Sequence, residues 1–142
     1  MRLQKNTSLA LYSVIELAAE PGRQVSAAEI AAKYGVSAHH LAKVLSELAR
    51  AGIVDSVRGA GGGHRFIGNP RRLTLLDIIE RFEEIVPASH HPEVRTPAGN
   101  ALALVLAEID ANARATFASI TLATMLRLME RRRRRTGSRA RD

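Results

Sequence analysis

The chain has 142 residues, no cysteine and no tryptophan, and a formal net charge of +7 from 21 Lys and Arg against 14 Asp and Glu. That length suits one domain with a helical extension, and the lack of cysteine excludes disulfides, thiolate nucleophiles and cysteine-held metal or iron-sulfur centres. It contains neither a run of 18 apolar residues nor a signal-peptide pattern, so the expectation is a soluble, cytoplasmic protein with no membrane partner.

The charge is placed as well as abundant. Residues 1–72 carry ten Lys and Arg against five Asp and Glu, residues 73–126 three against seven, and residues 127–142 eight against two. A basic first segment fits a polyanion such as nucleic acid.

In chain order, Thr7 is predicted to cap a first helix whose inward residues are Leu9, Tyr12, Ile15 and Ala19, stopped by Pro21-Gly22. Ser26 and Glu29 read as a capping box, in which each side chain satisfies the other's exposed backbone donor. This starts a short second helix that ends near Tyr34 at Gly35. Ser37 is placed to cap a third helix, "AHHLAKVLSELARA", with Leu41, Val44, Leu45 and Leu48 as one apolar stripe before Gly52. His39, His40, Lys43 and Ser46 fall off that stripe. Two helices joined by a tight glycine turn make a helix-turn-helix pattern.

Two strands follow, "IVDSV" and "HRFI", separated by a loop with four glycines in residues 59–63. A helix-turn-helix running straight into such a hairpin is a winged helix. Side-chain-free residues at the tip let peptide N–H groups approach phosphates, and Arg58, His64 and Arg65 supply charge. The bland alternative is a flexible surface hairpin. A nucleotide-phosphate loop fits poorly, because "GAGGGH" lacks the spacing of either glycine-rich motif and leads into a strand.

Beyond Asn69-Pro70, Thr74 and Asp77 can cap a fourth helix, "LLDIIERFEE", followed by the irregular "VPASHHPEVRTPAG". From Asn100 to Arg135 no proline or glycine intervenes, and Leu102, Leu106, Ile109, Ala113, Phe117, Ile120 and Thr124 recur every three or four residues. One helix of that length would span about 50 Å, so its apolar stripe needs a partner, most simply the same helix of a second subunit. Folding back on its own domain is the alternative. The five consecutive arginines after Glu130 read as a solvated, disordered tail, or as a non-specific attractor of DNA.

The segments "MRLQKNTSLAL", "HHLAKVLSELARAGIVDSVRGAGGGHRF" and "SITLATML" resemble the Rrf-two type (IscR/NsrR-like) of winged helix-turn-helix regulators over about residues 1–130, with the glycine-rich wing the most specific part. The resemblance implies a mainly α fold: a DNA-binding domain over 1–85 with a small β-hairpin wing, a sensor-type loop over 86–99, a dimerisation helix over 100–130 and a basic tail over 131–142. It implies a bacterial homodimer on a palindromic double-stranded DNA operator. Contacts to bases and phosphates are carried over to Ser37, His39, His40 and Lys43 of the recognition helix and to Arg58, Gly61, Gly62, Gly63, His64 and Arg65 of the wing. Arg2, Gln4 and Lys5 match arm positions near the backbone, and Ser26 joins the DNA-facing set. Dimerisation is assigned to Leu102, Leu106, Ile109, Ala113, Phe117 and Ile120.

The sensor departs from the family pattern. An ungapped match sets Ala88, Val94 and Asn100 where cluster-holding members carry cysteines, and Ser8 where NsrR-like members use an acidic ligand. No cofactor is therefore expected. His90, His91 and Glu93 could suit zinc, nickel or copper, but adjacent histidines in an extended loop point apart, and an ordinary exposed loop or a small-molecule effector site competes with that reading. The leading expectation is a sequence-specific repressor without an iron-sulfur cluster. Its alternatives are an architectural protein that coats DNA through charge and a regulator sensing a metal or small molecule through residues 88–100. An enzyme is not expected, because the spacing reveals no nucleophile–base pair.

Overall fold

The computed structural model describes residues 2–59, 61–83 and 95–140. Three helices come first: α1 Lys5–Ala19, α2 Ala27–Tyr34 and α3 Ala38–Arg50. An antiparallel hairpin of β1 Val54–Val57 and β2 Gly63–Phe66 follows, then α4 Leu75–Ile79, α5 Pro97–Ser119 and α6 Leu122–Arg139. The architecture is thus mainly helical with a two-stranded wing, as the patterning predicts. Among the described residues, no helix is long and apolar enough to cross a membrane.

The third helix forms where its pattern places it. Ser37 Oγ accepts the His40 backbone N–H at 3.1 Å, and Leu41, Val44, Leu45 and Leu48 are all buried. Gly35 turns the chain between α2 and α3 at φ +64°, a left-handed conformation that side chains disfavour. The core closes around α1, which packs against α3, α4, β2 and α6; Leu17, Leu41, Leu45, Ile78, Ile79 and Leu122 lie fully inside.

In α1 the buried face differs from the expected one. Thr7 is not the cap but lies fully buried inside the helix; Gln4 holds the N-cap position without a side-chain cap, and its backbone N–H donates to the Glu83 carboxylate. Ala10, Val14 and Leu17 face the core, whereas Tyr12 is 45% exposed and Ile15 and Ala19 are only half-buried. The reason is that small polar side chains take core positions. Ser13 donates to the Leu9 carbonyl at 2.7 Å and so is satisfied within its own helix.

The capping box expected at α2 is half-formed. Ser26 Oγ accepts the Glu29 N–H at 3.1 Å, but the Glu29 carboxylate takes Arg23 at 2.8 Å instead of returning to the cap. At α4 the reciprocal box of Thr74 and Asp77 is complete, at 3.2 and 2.9 Å, yet the helix is five residues long and gives way to turns through Phe82. Ile53 and Ile67 flank the strand ladder, joined by Ile67 N–H donating to the Ile53 carbonyl at 3.1 Å.

The uninterrupted helix expected from Asn100 to Arg135 is two helices, broken at Ile120 and Thr121. No local breaker is present. The break is tertiary: Leu75 N–H donates to the Ile120 carbonyl at 2.9 Å and Leu122 N–H to the Leu73 carbonyl at 2.8 Å, pairing this stretch with the chain ahead of α4. Thr121 then caps α6 by accepting the Thr124 N–H at 3.3 Å. The arginine run, expected beyond the helix end, is itself helical as far as Arg139. Arginine is among the better helix formers, and Arg134 pairs with Glu130 one turn earlier at 3.2 Å.

Candidate nucleic-acid interface

The buried stripe of α3 leaves an opposite face open. His39, Lys43, Ser46 and Arg50 are exposed at spacings of four, three and four, so they form one line along the helix. Their donors and acceptors are the kind that read base edges and phosphates in a major groove. Arg50 also pairs with Glu47 at 3.2 Å. Sequence reasoning misses Arg50, although its spacing from Lys43 and Ser46 is the signal that puts it in the line.

His40 sits to one side. It is half-buried, and its Nε2 is covered with no hydrogen-bond partner among the described residues, so that atom does not face a groove. Ser37 and Ser26 are exposed, but each hydroxyl oxygen already accepts a helix-start N–H at 3.1 Å. They orient α3 and α2 first, and each hydroxyl keeps its proton and one lone pair for a further partner.

The wing's glycines have distinct internal causes. Gly59 and Gly61 adopt φ +102° and +76°, in the left-handed region, and Gly62 N–H closes the turn on the Gly59 carbonyl at 2.9 Å. A Cβ on Gly62 would lie 2.3 Å from the Val57 carbonyl oxygen, and one on Gly63 2.7 Å from that of Val25. The cluster is therefore required by the hairpin's own packing.

Val25, ahead of α2, exchanges two backbone hydrogen bonds of 2.8 Å with His64, which ties the wing's root to the helix-turn-helix. This bridge spans distant residues and has no sequence signal. His64 Nδ1 is covered, and burial pulls the imidazole pKa below its ordinary value, partly offset by the Val25 backbone hydrogen bond. Arg65 stands directly across the ladder from Asp55 and pairs with it at 3.0 Å. Arg58 is exposed at the end of β1 with no ion pair among the described residues.

Arg2, Gln4 and Lys5 of the arm are exposed along an open groove that also takes in Tyr12 and Tyr34. Those two rings stack at 4.8 Å and 4°. Tyr34 donates its hydroxyl to Glu16 at 2.6 Å, and Lys33 reaches the same carboxylate at 2.8 Å, fixing α2 on α1. Burial and the Glu16 charge push the Tyr34 pKa well up, while these partners outweigh burial and hold Glu16 below the usual carboxylate value.

α5 buries none of its residues in the single chain. Leu102, Leu106 and Ile109 are 59%, 38% and 56% exposed, and Val105, on the same face but not foreseen, is 55% exposed. Ala113 is half-buried. Phe117 and Ile120 instead pack against the chain's own core.

Comparison with known proteins identifies this arrangement. The Rrf2 family model, described as an iron-dependent transcriptional regulator, matches residues 3–128. The chain belongs to the Rrf2 family. It is 49% identical over 142 residues to BadM of Rhodopseudomonas palustris, assigned to the HTH-type transcriptional regulators, covering 96% of this chain and 88% of that protein. Among solved structures it is similar to CymR, the global cysteine regulator of B. subtilis, at 29% identity and TM-score 0.75, over 90% of this chain and 98% of that one. It is also similar to T. potens IscR, at 26% identity and TM-score 0.65, over 89% and 87% of the two chains. Like these relatives, this Rrf2 chain is a transcriptional regulator and not an enzyme.

The iron of the family description meets an unsuitable donor set here. No cysteine occurs in the 142 residues, so no thiolate can hold an iron-sulfur cluster. Asn100 is exposed in the first turn of α5 and Ser8 is half-buried on α1. Ala88, Val94, His90, His91 and Glu93 lie outside the described residues, and among the described ones no cluster of three or more His, Asp and Glu could hold a metal.

Proposed function

We propose that this Rrf2 protein is a cytoplasmic homodimer that binds a palindromic DNA operator sequence-specifically and represses transcription without an iron-sulfur cluster. The observation that carries the reading is the exposed line His39–Lys43–Ser46–Arg50 on a rigidly capped α3, beside a wing anchored at Val25. A line of side chains on one helix face inspects base edges, and a wing and arm contribute phosphate contacts that set register. Arg2, Gln4, Lys5, Arg58 and the N–H groups of Gly61–Gly63 belong to the second class. The exposed apolar face of α5 supports pairing of two chains, which brings two α3 helices to two half-sites. A dimer seated across promoter DNA represses by occupying it. The absence of thiolates supports signalling through something other than a cluster.

Selection of duplexes from a random library by the purified protein, followed by anisotropy titration of the selected and scrambled sequences, tests this reading. A two-fold symmetric selected site bound at least a hundredfold more tightly than scrambled DNA is expected. Equal affinity for both would leave an architectural protein acting through charge. In vitro transcription from a promoter carrying the selected site then checks the sign of regulation.

A further inference from the structure

α6 carries a charge that, among the described residues, is largely uncompensated. Leu122 is buried, and Met125 and Leu126 pack against the core, so the first half of α6 is seated on the domain. Met129 and Arg133 continue that face into a groove of about 330 Å³ shared with Glu16, Val25 and Ile30. Arg133 adds to the charges that hold Glu16 ionised. Arg134 pairs with Glu130 at 3.2 Å, and Glu130 is the only acidic residue of the helix. Arg131, Arg132, Arg135 and Arg139 are exposed, with no acidic partner among the described residues.

Like charges three and four residues apart destabilise a helix. This one holds them in line all the same: Arg132, Arg135 and Arg139 share one shallow depression with Thr136 and Ser138. Along the axis they are spaced about 4.5 and 6 Å apart, at 1.5 Å per residue. Duplex DNA carries one negative charge per about 1.7 Å of its axis, so three guanidiniums spread over about 10 Å of helix all find phosphates within reach. The groove that receives Met129 and Arg133 also contains Val25, the residue that bridges to His64 of the wing. The start of the arginine run, at Arg133, therefore lies beside the residue that roots the wing.

We infer that the distal half of α6 is a second, sequence-independent DNA surface, in which Arg132, Arg135 and Arg139 contact phosphates of duplex flanking the operator. The inference rests on the DNA-binding reading above. Its ligand is the duplex backbone, reached by a helix that α1 holds in place, and its contribution is affinity and salt dependence without base preference.

The test uses the full chain and the triple variant R132Q/R135Q/R139Q, with the charge-retaining R132K/R135K/R139K beside it. All three residues are exposed and glutamine is a good helix former, so circular dichroism should show unchanged helix content. Affinity for a long random-sequence duplex is measured by anisotropy over a series of salt concentrations. The glutamine variant should bind more weakly, and its plot of log affinity against log salt should be shallower by about 0.9 for every phosphate that it no longer neutralises. The lysine variant should keep the wild-type slope. Preference for a selected operator over random duplex should be unchanged, and trimming the operator's flanks should abolish the difference between wild type and glutamine variant. A glutamine variant with the wild-type slope on the long duplex overturns the inference. So does loss of binding to phosphatidylglycerol vesicles with DNA binding intact, which would assign the arginines to a lipid surface. A wild type that binds no duplex at all would instead refute the DNA-binding reading itself.

Discussion

Replacing Ile109 with Asp tests the proposed dimer interface separately from the fold of the single chain. Ile109 is 56% exposed in the isolated chain and belongs to no core cluster, so the substitution should leave the monomer folded. Full burial of an isoleucine side chain is worth about 1.5–3 kcal/mol, so covering the exposed half against a partner contributes about 1 kcal/mol per subunit. A carboxylate in the same seam adds a desolvation penalty of at least about 1–3 kcal/mol. A two-fold interface counts the substitution twice, which brings the loss to at least about 4 kcal/mol. At about 1.4 kcal/mol per tenfold, the dimer dissociation constant should rise roughly a thousandfold or more.

Sedimentation velocity across nanomolar to micromolar concentrations reads this directly, with the thermal melt as the folding control. Wild type should sediment as a dimer and I109D as a folded monomer that has lost its operator affinity. A variant that still dimerises would show that α5 is covered in some other way. The contrasting substitution is Ile120→Asp, which attacks the core that Ile120 packs against and should unfold the chain whatever its oligomeric state.

Three further outcomes follow from the site. Arg58→Ala should weaken binding to every duplex alike and lower the salt slope by about 0.9, whereas Lys43→Ala or His39→Ala should reduce operator preference by about 1–3 kcal/mol; equal losses on operator and random DNA in all three would refute that division of labour. Gly63→Ala places a Cβ 2.7 Å from the Val25 carbonyl and should cost about 1–3 kcal/mol in a denaturant melt, with the wing's root loosened. His64 has a folded pKa below its unfolded value of about 6.5, so its contribution to stability is complete above that pH and is lost as pH falls below it toward the folded value. Melting temperature should therefore fall with acidification more steeply for wild type than for His64→Asn, and parallel curves would remove His64 from the account.

How far the sequence discloses this molecule depends on whether each determinant is local. α3 is legible because cap, stripe and terminator all lie within its own stretch: Ser37, then Leu41, Val44, Leu45 and Leu48, then Gly52. α1 is legible as a helix but not in phase, since a pattern built on large apolar residues passes over a buried Thr7 and Ser13. The break at Ile120 is invisible, because its cause is a backbone pairing with residues far earlier in the chain. Residue type alone presents the wing's glycines as openings for phosphate, whereas Gly62 and Gly63 are held to glycine by carbonyls of Val57 and Val25. Within the site, exposure separates what residue type cannot: His39 and His40 are neighbours in sequence, and only one of them faces outward with Lys43.

The same division bears on how such a regulator can be switched. α1 touches α3, α4 and α6 at once, and Glu16 draws Lys33 and Tyr34 of α2 and the charge of Arg133 on α6 to a single carboxylate. α4 packs on α5, and the half-buried Arg114 of α5 pairs with Glu80 just past the end of α4. If α5 pairs two chains as proposed, a displacement of α5 has a packed route through α4 and α1 to α3. A ligand can use that route only by preferring one placement of α5 to another, since equal affinity for two states shifts neither. Where a chain lacks thiolates, a cysteine-held iron-sulfur cluster cannot supply that preference, and any effector must obtain it from oxygen and nitrogen donors or from apolar contact. The first half of the chain draws its internal ties from itself: the Ser37 cap of α3, the Val25–His64 backbone bridge and the Glu16 cluster all form within one chain.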